Sequence, residues 1–304
     1  MSAAVSLEAS YRTTSRRLAD SLSVDVNASL VSQLLKARDP ILEAFRTRPL
    51  GTFPYLLVDA RFERVRAGGR VGSRAFLWAT GINANGEREV LGWLEGPSEG
   101  GEAWQALFKD LIARGLNGVE LVVSDAYAGL SKVHGATFPG AGWQECQAHF
   151  LQRSVEQVAV ADQKSFRADV RMVLDAPDRE QARQQIGLLS GTWREKAPKA
   201  VAYLEDHLDS LLAVLDFPVA HQRRLKTTNL LERIVDDLKR KGRQVRTSPD
   251  QGLRERIFGA LLMKHHEAWA QISWLNMRTP RHRDQYPDDS RPWRDGDNRQ
   301  SSAT

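Results

Sequence analysis

The sequence contains one cysteine, Cys146, in 304 residues, and it has no long apolar run. A single cysteine excludes an intramolecular disulfide and is typical of proteins in a reducing compartment. No stretch approaches the ~20 apolar residues of a membrane-spanning helix. The first residues also lack the apolar segment of a secretory signal. We therefore expect a protein of the cytoplasm.

Positive charge exceeds negative charge only slightly. The chain has 43 Lys and Arg against 38 Asp and Glu, which gives a net charge of +5. This excess does not by itself indicate nucleic-acid binding, but it leaves room for local basic patches. Hydrophobic residues make up 41% of the chain, which is enough for a buried core.

The order of apolar runs and turn residues predicts an α/β core, and residues 51–160 form its first part. Residues 55–59, 75–82 and 90–94 predict three strands, and the Asn-Gly turn at 83–86 joins the last two as a hairpin. Helices and strands then alternate, at residues 102–114, 119–125, 126–134, 142–145 and 146–160. This order predicts an RNase H-like core with a five-stranded mixed sheet and flanking helices.

Helical patterns dominate the rest of the chain. Residues 161–220 predict an all-α insertion, and residues 221–275 predict the last helices of the core. Residues 276–304 are polar, and we expect a disordered tail. Residues 1–50 predict an N-terminal helical segment, which is either a helix-turn-helix or a helical hairpin packed on the core.

Two acids end predicted strands that an RNase H-like fold makes neighbours. Asp59 ends the first strand and Asp125 ends the fourth. Two adjacent carboxylates repel each other, and a divalent cation relieves that repulsion. The alternative is that each Asp only caps the turn that follows it. This alternative suits Asp125 better than Asp59, because the run around Asp59 continues as Ala-Arg-Phe-Glu-Arg-Val and would place its charge in the middle of a sheet.

A two-metal site requires a third acid from later in the chain. The candidates are Glu232, Asp236 and Asp237, on the predicted helix after the insertion. For Glu232 the spacing from Asn229 also fits a capping box, in which the carboxylate serves only the helix N-terminus.

Basic residues are concentrated around that predicted helix. Three acids oppose nine Lys or Arg: Arg223, Arg224, Lys226, Arg233, Lys239, Arg240, Lys241, Arg243 and Arg246. A local excess of this kind suits contacts with DNA phosphates. The alternative is a solvated helix with basic residues near its C-terminal end. We favour DNA binding, because the basic residues continue into the following loop.

Between about residues 13 and 269, the chain resembles the bacterial insertion-sequence branch of the Mutator transposase family. The matching stretches occur in the family's order, at residues 45–50 (FRTRPL), 55–60 (YLLVDA), 88–92 (REVLG), 99–104 (EGGEAW), 122–130 (VVSDAYAGL), 143–149 (WQECQAH), 227–233 (TTNLLER) and 262–269 (LMKHHEAW). Any one stretch is a weak signal, and the set together is specific. The chain departs from the family at Arg61, where relatives often have an aromatic or aliphatic residue.

The resemblance implies a catalytic triad of Asp59, Asp125 and Glu232, and it places the family's helical insertion before the glutamate. These acids would hold two Mg²⁺ or Mn²⁺ ions for cleavage of a phosphodiester and attack of the freed 3′-OH on another. The implied partner is double-stranded DNA, both transposon ends and target, bound by a homodimer or larger assembly that associates with the nucleoid. Family members have more helical DNA-binding sequence at the N-terminus, so we expect residues 1–50 to hold only the last part of that module.

The resemblance also includes a Cys-x-x-His motif at Cys146 and His149. Two ligands do not complete a tetrahedral zinc site. We interpret the pair as packing and positioning near the active site, with a buried Cys beside an ordinary helical His as the alternative.

Two other functions compete with transposition. The first is an RNase H-like nuclease that does not join strands. The second is a truncated or domesticated DNA-binding protein without catalytic activity.

Overall fold

The computed structural model describes residues 39–278, except residues 68–69, 99, 128, 246–250 and 271. For residues 63–67, 70–71, 241–245 and 251–254 it describes the backbone alone. Most of the predicted N-terminal segment (residues 1–38) and of the predicted tail (residues 279–304) therefore lies outside the described residues.

Five strands form one mixed sheet with the order β3-β2-β1-β4-β5. Their bounds are β1 Tyr55–Ala67, β2 Arg70–Ile82, β3 Arg88–Gly96, β4 Leu121–Ser124 and β5 Gly142–Glu145. Strands β1, β2 and β3 form an antiparallel meander, whereas β4 pairs in parallel with both β1 and β5. The predicted α/β class and the five-stranded mixed sheet are confirmed.

Ten α-helices are described along the chain. They are α1 Asp39–Thr47, α2 Gly101–Ala113, α3 Leu130–Thr137, α4 Gln147–Glu156, α5 Gln163–Leu174, α6 Arg179–Trp193, α7 Pro198–Leu211, α8 Val219–Leu225, α9 Glu232–Val245 and α10 Gln251–Trp269. Short 3₁₀ turns at Ala213–Asp216 and Asn229–Leu231 precede α8 and α9. No helix among the described residues is long and apolar enough to cross a bilayer.

Alternating side chains of β1 enter two separate cores, one on each face of the sheet. Tyr55 and Leu57 join a core that includes residues of α9 and α10. Leu56 and Val58 join the core formed with α2 and α3. This period of two is the one expected for a strand covered on both faces.

A third core lies within the helices that follow β5. It is formed by buried side chains of α4, α5, α6 and α7, including Phe150, Phe166, Trp193 and Leu204. We call residues 147–212 the helical unit. Its large aromatic and aliphatic residues give it a hydrophobic interior separate from that of the sheet.

Several helix bounds differ from the sequence-based expectation for local reasons. After β4 the chain makes a turn in which Tyr127 N–H donates to the Asp125 carbonyl at 2.9 Å, so α3 begins only at Leu130. Helix α10 ends at Trp269 because the chain then docks on the β2–β3 hairpin, where Trp274 N–H donates to the Gly86 carbonyl at 2.7 Å.

The pairing of β1 with β4 brings the two predicted acids to the same level of the sheet. The last paired positions are Leu57 and Val123. Asp59 and Asp125 each follow two residues later, where β1 continues and β4 has ended.

Candidate active site

Asp59 is a buried carboxylate within β1, with 7% of its surface exposed. Its Oδ1 accepts the Ala60 N–H at 2.8 Å and the Tyr127 hydroxyl at 3.1 Å. Among the described residues, none donates a hydrogen bond to its other oxygen, Oδ2. The side chain is therefore held in place by one oxygen, and the second is left for another ligand.

Burial raises the pKa of Asp59 to about 6. The Ala60 N–H, His149 and Tyr127 oppose this effect, and the nearby charge of Asp125 adds to it. A carboxylate that is costly to ionise alone, next to a second carboxylate, favours a bound cation.

Asp125 follows β4 and is held mainly through its Oδ1 atom. That atom accepts the Ala126 N–H at 2.8 Å and a hydrogen bond from Arg153 Nη2. Its Oδ2 lies 3.7 Å from His149 Nδ1. As the capping alternative supposed, Asp59 and Asp125 each accept a hydrogen bond from the backbone N–H of the next residue. In both cases only Oδ1 takes part in that bond, and Oδ2 does not.

Glu145, at the end of β5, is fully buried and shares Arg153 with Asp125. Arg153 Nη2 lies 3.2 Å from Glu145 Oε1, and His207 Nδ1 lies 2.5 Å from Glu145 Oε2. His207 belongs to α7, so this network connects the helical unit to Asp125. None of these three residues was predicted from the sequence.

Cys146 follows Glu145 directly and is buried. Its Sγ accepts two hydrogen bonds from Thr228, one from the backbone N–H and one from the hydroxyl, both at 3.3 Å. Burial raises the pKa of the thiol, but hydrogen bonding to His149 and Thr228 outweighs burial, so the pKa is lowered.

His149 lies between Cys146 and the two acids. The interaction with the Cys146 side chain is the main reason that the pKa of His149 rises to about 9, with burial opposing it and Asp125 and Asp59 adding to it. His149 therefore carries a positive charge at neutral pH and faces Asp125.

Glu232 is the first residue of α9, and its side chain is exposed. The capping box is not formed, because the Asn229 N–H is bonded to Thr227 Oγ1 at 3.4 Å rather than to the Glu232 carboxylate. Within the described part of the chain, no three His, Cys, Asp or Glu side chains form a group that could hold a metal ion. The structure thus brings Asp59 and Asp125 together and leaves Glu232 outside a common cluster.

The two other candidate acids on α9 are already paired. Asp236 lies 3.9 Å from Lys239 Nζ, and Asp237 accepts from Arg240 at 2.7 Å and lies 3.0 Å from His265. Glu232 has no ion pair with any described residue, so it is the candidate whose carboxylate remains available.

The predicted basic surface is partly neutralised. Lys226 pairs with Asp175 at 2.9 Å, in addition to the pairs of Lys239 and Arg240 on α9. Arg233 and Arg223 are exposed, and Arg224 is half-buried. The side chains of Lys241 and Arg243, and all of Arg246, lie outside the described residues.

Of the site residues that the sequence analysis missed, the sequence offers a signal for Glu145 but none for Arg153. Glu145 ends a strand next to β4, and Asp125 directly follows β4, so the argument from the end of a strand applies to Glu145 as well. Asp59 was expected to end its strand, but β1 continues to Ala67. Arg153 lies two helical turns into α4, and the sequence shows no reason to pair it with either acid.

Comparison with known proteins identifies the family. The family model described as "Transposase, Mutator family" matches residues 8–272. The transposase for insertion sequence element IS406 of Burkholderia multivorans is 38% identical over 248 residues, 81% of this chain and 64% of the relative. The transposase for IS1081 of Mycobacterium tuberculosis is 37% identical over 258 residues, 84% of this chain and 62% of the relative.

A transposase from Staphylococcus aureus, that of IS256 in transposon Tn4001, is 33% identical over 268 residues, 87% of this chain and 68% of the relative. The chain thus spans less than two thirds of the length of the first two relatives. The family match covers most of the chain, including both Asp residues, the Cys-x-x-His motif and Glu232. On these grounds the chain belongs to the Mutator family of transposases.

Proposed function

We propose that this chain is a DDE-type transposase that catalyses metal-dependent cleavage and transfer of DNA strands. The observation that carries the proposal is the meeting of Asp59 and Asp125 at one edge of the sheet, each with one carboxylate oxygen that no described N–H or O–H group occupies. Family membership supports transposition as the process that this site serves.

The fold that we propose is RNase H-like. An antiparallel meander is followed by βα units, and β4 lies beside β1 rather than at the edge of the sheet. In such folds the acids at this level of the two neighbouring strands form the catalytic centre. The helical unit then corresponds to the all-α insertion, since it lies between Asp125 and Glu232 and has its own core.

The donor set fits a hard divalent cation. Carboxylate oxygens are the ligands that Mg²⁺ and Mn²⁺ prefer, and Mg²⁺ usually keeps several of its waters. Asp59, Asp125 and Glu232 would hold two such ions. When bound, a metal pair activates the attacking oxygen and stabilises the leaving oxygen of an in-line phosphoryl displacement.

The surrounding residues orient the two acids. Tyr127 and the Ala60 N–H fix Asp59 through Oδ1, and Arg153 and the Ala126 N–H fix Asp125 in the same way. The second oxygen of each carboxylate is thereby presented at the edge of the sheet. The positive charge of His149 lowers the pKa of Asp59 and so partly offsets the effect of burial on that carboxylate.

We assign Glu232 the role of third acid because its segment is anchored near the site. Thr228 is bonded to Cys146, which adjoins the buried Glu145 and contacts His149. This gives the Cys-x-x-His motif a positioning role. The proposed partners are double-stranded transposon ends and target DNA, bound by a homodimer or larger assembly, with exposed Arg223 and Arg233 contacting the backbone.

The test is a cleavage and strand-transfer assay on DNA that carries the sequences flanking the gene, with Mg²⁺ or Mn²⁺. We expect Asp59→Asn, Asp125→Asn and Glu232→Gln each to lower the rate by about 10³-fold or more, since a lost metal ligand removes several kcal/mol of transition-state stabilisation. Asp236→Asn, on the same helix as Glu232, is the matched control and should keep wild-type activity.

The same assay separates the alternative functions. Cleavage without joining of pre-cut 3′ ends would indicate a nuclease. DNA binding without any cleavage by the wild type would indicate a DNA-binding protein without catalysis. Full activity of Glu232→Gln would show that Glu232 is not the third acid, and it would leave the assignment of the two Asp residues unchanged.

A further inference from the structure

Strands β1 and β2 extend well beyond the rest of the sheet. They pair with each other over their full length of thirteen residues. The pairing of β4 with β1 ends at Leu57, and the pairing of β3 with β2 ends at Ala75. Among the residues that the structure describes, no third strand pairs with the segments 63–67 and 70–74. These two segments therefore form a two-stranded ribbon, which we call the arm.

The arm begins just beyond the level of the two proposed catalytic Asp residues. Asp59 lies within β1, level with Asp125, and Glu63 is the first arm residue, four positions further along β1. The strand then continues to Ala67. At ~3.3 Å per residue, the arm extends from ~13 to ~26 Å beyond the level of the two acids. One turn of a DNA duplex is ~34 Å long, so the arm lies within one turn of a phosphodiester held there.

The space around the base of the arm is open. The side chain of Phe62 is 48% exposed, and Gly72 and Ser73 are exposed as well. A Cβ on Gly72 would meet no described atom within 4 Å, apart from its chain neighbours. Because a two-stranded ribbon is only marginally stable in water by itself, a partner that covers the arm would stabilise it.

The sequence of the arm is rich in positive charge. Its ten residues include four arginines: Arg64, Arg66, Arg70 and Arg74. Its one acid is Glu63. Arg74 Nε lies 3.5 Å from Glu95 Oε1 of β3, so the charge of Arg74 is compensated within the sheet. The other three arginines still outnumber Glu63, and a local excess of this kind suits a polyanion.

The strand register distributes these arginines over both faces of the ribbon. Successive residues of a strand alternate between the faces, and residues paired across two antiparallel strands share a face. Arg64 and Arg66 therefore belong to one face, whereas Arg70, which pairs with Ala67, belongs to the other. In the major groove, which is ~12 Å wide and admits a two-stranded ribbon, phosphates flank the ribbon on both sides. Arginines on both faces suit that position.

We propose that the arm is a DNA-binding ribbon that enters the major groove of the duplex next to the phosphodiester held by Asp59 and Asp125. The inference rests on the proposed function, because that function supplies duplex DNA as the partner. The positive charge and the two-stranded form favour DNA over a second protein. Contacts from arginine to phosphate fix the position of a duplex without reading its sequence, so the arm holds DNA of any sequence beside the acids.

The first experiment measures the affinity of the full chain for a labelled duplex of arbitrary sequence over a series of KCl concentrations. The test variant combines Arg64→Gln, Arg66→Gln and Arg70→Gln. Each lost phosphate contact reduces the slope of log K against log salt by ~0.9. We therefore expect the slope to fall by about 1 to 3, and the affinity at low salt to fall by about 10-fold or more. Lysine at the same three positions keeps the charge and should retain most of the slope.

The matched control removes three arginines from the helical unit. It combines Arg167→Gln, Arg171→Gln and Arg183→Gln, at positions that are exposed or half-buried. This variant has the same net charge as the arm variant and should keep the wild-type slope. An equal loss of slope in both variants would show that the total charge of the chain, and not the arm, determines binding, and the proposal would be overturned.

A crosslinking experiment tests the position of the DNA even if the arginine variant fails to fold. Ser73 is exposed, whereas Cys146, the one cysteine of the chain, is buried. Ser73→Cys can therefore be labelled selectively with a photoreactive group. We expect the labelled protein to crosslink to the bound duplex at low salt and to lose the crosslink at high salt.

The outcomes separate this inference from the proposed function. If the wild type binds and cleaves DNA, the arm proposal is overturned when the glutamine variant keeps the wild-type slope or when Ser73→Cys gives no crosslink to bound DNA. The catalytic proposal then stands. Crosslinks between protein chains in place of crosslinks to DNA would make the arm a contact between copies and would also overturn it. If the wild type does not bind the duplex at any salt concentration, both proposals fail.

Discussion

Thr228 donates both its backbone N–H and its hydroxyl to the sulfur of Cys146, at 3.3 Å each, although the two residues are 82 positions apart in the chain. The contact joins the segment before Glu232 to the end of β5. Gln147 N–H strengthens the same junction by donating to the Lys226 carbonyl at 2.9 Å. The start of α9 is thus fixed relative to the strands that carry the acids.

Replacing Cys146 by Ala should destabilise the protein by about 1–3 kcal/mol, because the buried Thr228 N–H and hydroxyl lose their acceptor. Denaturant unfolding measures the loss. Thr228→Ser is the control, since it keeps both donors and should cost less. If Cys146 positions Glu232, Cys146→Ala also lowers cleavage without changing the affinity for DNA. Unchanged stability and unchanged cleavage would show that the contact has neither role.

Asp59 should make the metal-free protein less stable as pH rises. Its pKa is raised to about 6 by burial, above its usual value near 4, so the folded state binds more protons than the unfolded state between these values. The free energy of unfolding therefore falls from about pH 4 to about pH 6. In EDTA, Asp59→Asn should be more stable than wild type at pH 7, by up to about 3 kcal/mol.

The same comparison at pH 4 is the control for Asp59. At that pH the side chain at position 59 is neutral in the folded wild type and in Asp59→Asn. The difference in their free energies of unfolding should therefore nearly vanish. Added Mg²⁺ should stabilise the wild type and leave Asp59→Asn unchanged. Parallel stability curves for the two proteins at all pH values would contradict the raised pKa.

Removing Arg153 should leave the fully buried Glu145 without its cation. Loss of one partner of a buried pair costs about 3–5 kcal/mol, and the half-exposed Arg153 places this case at the lower end. Denaturant unfolding of Arg153→Met measures it. The double variant Arg153→Met, Glu145→Gln removes both charges and should recover most of the loss. A double variant that is no more stable than Arg153→Met would show that the charge of Glu145 is not the cause.

Gly86→Ala should destabilise the β2–β3 hairpin. Gly86 has a φ of +78°, and a Cβ there would lie 1.8 Å from the Leu275 carbonyl oxygen. The left-handed conformation alone costs ~1–2 kcal/mol for alanine, and the clash adds to it. Gly187→Ala, in α6, is the control, because its new Cβ would meet no described atom within 4 Å apart from its chain neighbours and the backbone of its own helix. Equal stability of the two variants would contradict the close approach.

Much of the sheet could be predicted because its strands are encoded locally. The apolar runs around residues 55–59, 75–82 and 90–94, with the turn between the last two, correspond to β1, β2 and β3. The meeting of Asp59 and Asp125 followed from the strand order that this pattern suggested. These features depend on side-chain alternation and turn chemistry, which a sequence shows directly.

The rest of the site depends on contacts between distant segments. Arg153 reaches Glu145 because α4 leaves the end of β5, and His207 reaches the same carboxylate because α7 returns to it. No local pattern encodes these pairings, since each is created when separate elements pack together.

The junction between β5 and α7 has a mechanical consequence. Gln144 and Gln147 both donate to the Leu211 carbonyl, at 3.0 and 2.9 Å, and the Val214 N–H donates back to Gln144 at 2.7 Å. All of these bonds are buried, so the far end of α7 cannot slide independently of the strand. Because Glu145 of the same strand shares Arg153 with Asp125, the position of α7 is coupled through buried contacts to the carboxylate at the end of β4.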